Sequence, residues 1–238
     1  MRRLAHWFAL WIILTLIPPA AHAHHLWVIQ ADREFVVARG LTPDRMDSYD
    51  PQHVSAIEAF DAHGRQVSLR RIDDAQRARF TVDGAPVLAT VTCEWGDRVN
   101  TPQGKNFLSR QQALDQGMTV LSAFRSTQFA KSFFGWGPVW QQPVGLKLEI
   151  VALERPDRVQ AGESLPVQVL FDGLPLPDCQ VGIGRDSRHV RTDSGGMAQI
   201  DLHGTGLQVV MAIHNVPAEG YADIDYWQYM TFLTFMTP

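Results

Sequence analysis

"DRVQAGESLPVQVLFDGLPLPDCQVGIG", Asp157 to Gly184, decides the fold. It reads as turn, strand, turn, strand. "SLPVQVLF" and "QVGIG" are short runs of β-branched and apolar residues, and Asp172-Gly173 lies between them. Asp-Gly between two such runs is the punctuation of antiparallel pairing.

The same grammar extends outward. "RTDSGGMAQIDL" supplies a hairpin through Ser194-Gly195-Gly196, and "LQVVMAI" a further strand. "YMTFLTFM" closes the series, with Tyr229, Thr231 and Leu233 on one face and Met230, Phe232 and Thr234 on the other. Upstream, "QVSLRRI", "ARFTV", "LATVTCEW" and "LKLEIVAL" read as strands, with a turn expected at Trp95-Gly96-Asp97. Helix is expected only over Ser109–Met118, where Ser109 caps and Gly117 stops it. "GWGPVWQQPVG", residues 135–145, holds three glycines and two prolines and interrupts regular structure. The expected fold is all-β: two β-sandwich modules of immunoglobulin or prealbumin type, over residues 24–140 and 145–238.

Residues 1–23 read as a cleaved secretory signal. Arg2 and Arg3 precede the apolar run Leu4–Ile17, Pro18 and Pro19 end it, and Ala21-His22-Ala23 offers a small-x-small cleavage site. An uncleaved anchor is disfavoured, because the run falls short of the roughly 20 apolar residues that span a bilayer. Cleavage leaves 215 residues, a charge of −6 and no membrane-spanning segment, in a secreted, periplasmic protein. That acidic balance argues against nucleic acid and against an anionic membrane face. Cys93 and Cys179 stand open between a disulfide and two buried thiols.

The new amino terminus would be "HHLWV". His24 can chelate through its free α-amine and imidazole, or that amine can join the His25 amide and imidazole in a planar nitrogen set. Both suit Ni(II) and Cu(II). The alternative is a permissive processing remnant. His214 is the candidate partner from the fold: in "QVVMAIHN" it shares a face with Gln208, Val210 and Ala212 and is expected at the strand's rim. The competing reading is a rim histidine bonded to backbone. Glu219, Asp223 and Asp225, with Tyr221 and Tyr226 beside them, form either outer-shell acceptors for an imidazole or a solvated acidic loop. His53, His63, His189 and His203 read as surface residues.

The stretches "VGLKLEIVALERPDRVQAGESLPVQVLFDGLPLPDCQV", "TDSGGMAQIDL", "VVMAIHN" and "YMTFLTF", with "AHAHHLWV" at the front, resemble a periplasmic domain-of-unknown-function family related to soluble components of nickel and cobalt uptake systems. The resemblance implies paired β-sandwiches, a transition-metal role and a membrane transporter as partner. His214 matches the histidine of the family's penultimate strand, and His25 stands where many relatives have an acidic residue. Nickel or cobalt follows from the resemblance, copper from the ligand chemistry. No nucleophile elbow, zinc-protease helix or phosphate loop occurs, so a binding protein is expected and not an enzyme. The rival readings are a copper histidine-brace oxidoreductase and a glycan-binding or adhesion module presenting Trp136 and Trp140.

Overall fold

The computed structural model describes residues 24–41, 45–184, 189–202 and 204–238. Residues 1–23, where a cleaved signal is expected, and His203 lie outside the described residues.

The first half contributes β1 (His25–Ala31), β2 (Glu34–Leu41), β3 (Arg45–Met46), β4 (Val54–Phe60) and β5 (Gln66–Val67). It continues with β6 (Leu69–Arg71), β7 (Arg79–Val82), β8 (Leu88–Thr101), β9 (Gly104–Asn106), α1 (Arg110–Asp115) and β10 (Ser122–Phe133). The second half adds β11 (Leu148–Ala152), β12 (Ser164–Phe171), β13 (Leu174–Pro175) and β14 (Gln180–Ile183). It ends with β15 (Val190–Arg191), β16 (Met197–Asp201), β17 (Gly206–Pro217) and β18 (Tyr226–Thr237). The protein is all-β, as expected, and its strands form sandwiches.

The sandwiches share a layer. A long central sheet runs β15-β14-β17-β18-β10-β8-β4-β5, so strands of both halves lie side by side. The joint is β10 against β18, a parallel pair in register from Phe124↔Tyr226 to Ser132↔Thr234. Parallel neighbours require a crossover, and here the intervening chain supplies it by building a second sheet. That sheet, β11-β12-β13 with β16 on β12, covers one face of the centre. Val210, Ala212, Leu233 and Phe235 meet Leu148, Ile150, Val167 and Val169 there. The third sheet, β1-β2-β7-β6 with β3 on β2, covers the opposite face. Val91, Cys93, Met211, Met230 and Phe232 pack there on Leu26, Val37 and Phe80.

The expected faces of "YMTFLTFM" hold, and both are buried because β18 is central. The helix also forms as expected. Ser109 accepts from the Gln112 amide while the Gln112 side chain accepts from the Ser109 amide, a reciprocal cap. Gly117 follows at φ +72°.

Trp95-Gly96-Asp97 is a correction. No turn occurs there, and β8 runs on to Thr101. Ser126 pairs with Gly96 and Thr127 with Glu94, so Trp95 is the extra residue of a bulge. Gly96 accommodates it at φ +68°. The extra residue reverses the alternation. Trp95 and Arg98, which would otherwise face opposite ways, come to one side.

The linker 135–145 is irregular but pinned. Lys131 and Glu149, each 1% exposed, pair at 2.6 Å. The Glu149 carboxylate also accepts from the amides of Val144, Gly145 and Leu146, and Lys131 donates to the Gln142 carbonyl.

Candidate functional site

The consequence of the bulge is a cleft of about 220 Å³ where the central sheet extends past the end of the β1–β2 hairpin. Its floor comes from same-face residues of adjacent strands: Phe124, Ser126 and Gln128 on β10, Gln228 and Met230 on β18. Trp95, Arg98, Lys105 and Phe107 close one side, and His24 and Arg39 overhang it. Arg39 reaches the cleft because it pairs with Leu26 across β1–β2, on the face that also carries Val37 inward.

The electrostatics are cationic. The Arg39 guanidinium lies 4.6 Å from the Trp95 ring centre, Arg98 4.0 Å from Phe107, and the Lys105 ammonium 5.2 Å from Phe124. Burial pushes the Arg98 pKa down to about 10, and the like charge of Arg39 adds to the fall. Burial also lowers Arg39, partly opposed by Asp47, and lowers Lys105, with Arg98 acting in the same direction.

His24 stands at the mouth. Its Nε2 lies 2.8 Å from Asp47 Oδ2, and Arg39 and Arg45 approach the same carboxylate at 3.8 and 3.4 Å. With Nε2 held by Asp47, a compact chelate with the α-amine of a chain beginning at His24 would have to close through Nδ1. A carboxylate on the far ring nitrogen is the usual outer-shell arrangement of a metal-binding imidazole. These residues fit a two-nitrogen chelate.

They do not fit the three-histidine set. His25 is buried, its ring 5.6 Å from Phe232. His214 is on the other side of the central sheet, facing the β11–β12 layer with its ring edge-on to Phe171 at 4.7 Å. The sequence assigned its face correctly, but that face points away from β1. Nor is His214 at a rim, since β17 continues to Pro217 and His214 pairs with Tyr229. Among the described residues no three His, Cys, Asp or Glu side chains assemble as a metal cage. Accordingly, His214→Ala is expected to leave metal affinity at the amino terminus unchanged while loosening Phe171. Calorimetric titration beside a melting curve checks both, and a weakened metal isotherm would return His214 to the site.

The loop candidates have structural roles. Asp225 bonds Arg110 at 2.6 Å and accepts from the Ala123 amide at 2.7 Å. Tyr226 stacks on Phe124 at 5.0 Å, and Tyr221 meets the edge of Trp227. Glu219 and Asp223 are exposed. His53 Nδ1 donates to the Glu94 carbonyl at 2.9 Å, and the ring packs on Trp95. The cysteines are free, buried thiols. Cys93 belongs to one core and Cys179 to the other, on opposite faces of the sheet. Burial raises both, Cys179 to about 11.

A larger cavity, about 560 Å³, is lined by Trp27, Phe133, Trp136, Trp140, Leu207 and Met236. It is apolar, with few polar groups converging on it. Trp140 is buried and stacked on Phe133 at 4.3 Å, and Arg155 covers Trp136 at 3.8 Å. Trp140 therefore packs in the core, while Trp136 stays partly exposed at the cavity.

Sequence reasoning named His24, which lines the cationic cleft, and did not name its cations. The available signal was Gly96, a bulge glycine inside a strand, followed by Arg98, Lys105 and Phe107.

The sequence model of one family, "Domain of unknown function (DUF4198)", matches residues 21–216. No curated protein matches the chain. Among solved structures, the D0-D1 domain of Intimin aligns at 14% identity over 90% of this chain and 98% of its own. The TM-score is 0.24, too low to carry an argument. No helix among the described residues is long and apolar enough to cross a membrane.

Proposed function

We propose that this chain, which belongs to the Domain of unknown function (DUF4198) family, is a periplasmic transition-metal-binding protein. His24 is the metal-binding residue, through its α-amine and Nδ1. The observation that carries the reading is the 2.8 Å contact of His24 Nε2 with Asp47, which orients the imidazole for chelation. The resemblance to nickel and cobalt uptake components suggests those metals and a membrane transporter as receiver. Copper is the next choice, because amine and imidazole nitrogens suit it as they suit nickel. A copper oxidoreductase is not favoured, because a brace needs a second imidazole and His214 lies on the far face.

The test compares the protein beginning at His24 with one carrying a glycine ahead of it. The extension turns the amine into an amide while keeping every side chain. Titration with Ni(II), Co(II) and Cu(II) should then show weaker binding, and Asp47→Asn should weaken it roughly tenfold or more. His25→Ala, with and without the extension, controls for a planar site built by a third-position histidine. In the unextended protein, binding should weaken below about pH 6, as protons compete for imidazole and amine. Identical metal binding by all these forms makes the terminal histidines a processing remnant.

A further inference from the structure

We propose that the cleft between β8, β10 and the start of β1 is a binding site for a small hydroxy-polycarboxylate anion, gripped by Arg39, Arg98 and Lys105. Three cations converge on one cavity, and their charge is poorly matched within it. Arg39 shares Asp47 with Arg45 and His24. Among the described residues neither Arg98 nor Lys105 pairs with a carboxylate. Arg98, 7% exposed, donates to the Asp97 backbone carbonyl at 2.8 Å, while the Asp97 side chain is committed to Arg125 at 2.7 Å. Gathering the buried Arg98, the Arg39 guanidinium and the exposed Lys105 ammonium around one cavity is unfavourable unless an anion offsets the charge.

The aromatic walls set the shape of that anion. Each cation is held over its own ring, Trp95, Phe107 or Phe124, so the positive charges are spread around the cavity. Carboxylates on a branched carbon frame meet such an arrangement better than one compact phosphate, and forked guanidinium donors suit carboxylate oxygens.

The floor adds a second requirement. Gln128, 7% exposed, directs Nε2 to the Met230 thioether at 3.6 Å. A thioether only accepts, which fixes the amide orientation. Gln128 Oε1 is thereby left buried without a partner among the described residues. An acceptor at the floor of a cationic cleft selects a ligand with a hydroxyl to donate beside its carboxylates. The Arg39 Nε and Trp95 Nε1 groups are likewise buried without a partner among the described residues.

His24 overhangs the same cleft and shares Asp47 with Arg39, so the proposal is tested on metal-free protein. The probe is citrate, titrated calorimetrically at neutral pH and low ionic strength into protein passed over a chelating resin. Saturable one-to-one binding is expected. Arg98→Gln or Lys105→Gln should weaken it about tenfold, the usual worth of a hydrogen bond to a charged group, whereas Arg33→Gln on the exposed β1–β2 turn should not. Lys105 is at an exposed position in β9, so its variant keeps the test open should Arg98→Gln fail to fold. Tricarballylate, which lacks the hydroxyl, should bind more weakly than citrate, and Gln128→Met should erase the difference. Absence of saturable citrate binding overturns the proposal, as does equal binding by Lys105→Gln. Phosphate bound as tightly as citrate overturns the polycarboxylate assignment, and equal binding of citrate and tricarballylate overturns the role of Gln128. A protein that binds citrate but no metal would fail the earlier reading alone.

Discussion

Glu149→Ala is expected to destabilise the protein by about 3–5 kcal/mol, the usual result of removing one partner of a buried ion pair. The change leaves the Lys131 ammonium buried with only the Gln142 carbonyl. It also strips the acceptor from three consecutive linker amides, Val144, Gly145 and Leu146. Burial already lowers the pKa of Lys131, opposed by Glu149, so without the carboxylate the lysine should fold neutral. A chemical denaturation series at several pH values measures this. A lysine that is neutral when folded binds a proton only when unfolded, so stability of the variant should rise with pH up to about 10.4. Lys131→Met with Glu149→Leu should recover part of the ion-pair loss, though not the linker contacts. A single variant as stable as the wild type would mean that the pair is solvated.

Phe232→Ala is the second large effect, about 3–5 kcal/mol for a fully buried phenylalanine. Phe232 is central in β18 and has no exposed surface. Its ring meets His25 at 5.6 Å, so the cavity opens beside the first residue of β1. The melting temperature should fall. In protein that remains folded, hydrogen exchange should rise through β1 more than through β12, which belongs to the opposite sheet. Uniform exchange across both sheets would show that His25 does not anchor β1 through this ring.

The longer strands of the second half were legible as apolar runs bounded by Gly, Pro or Asp, but their pairing was not. β14 pairs with β17 and not with β12. The turn through Ser194-Gly195-Gly196 joins β15, on β14, to β16, on β12, in the other sheet. The helix 110–115 was legible from Ser109 and Gly117. β10 was not, although it is central. "SAFRSTQFAKSF" carries Ser126, Gln128, Lys131 and Ser132, all buried, and the side chains of Lys131 and Ser132 find their partners on other elements. Ser132, for instance, bonds the Val28 amide and the Thr234 hydroxyl. Polar residues satisfied by long-range bonds leave no local apolar signal. The site was half legible for a similar reason. The face of His214 could be read from alternation, while the place of His24 beside Asp47 could not. Which layer covers each face depends on how the sheets stack. The parity change at Trp95 likewise depends on a bulge that Gly96 permits but does not announce.

The side-by-side placement of β10 and β18 also sets a timetable. β10 leaves the ribosome long before β18, and until β18 arrives one edge of β10 and both flanking cores stay open. No local rearrangement can close them early, because the missing neighbour does not yet exist. Such non-local pairing is slow and leaves aggregation-prone edges exposed. The first half should therefore need a holding chaperone for as long as the second is being delivered. Yield should depend on that supply more steeply than the stability of the finished protein would suggest.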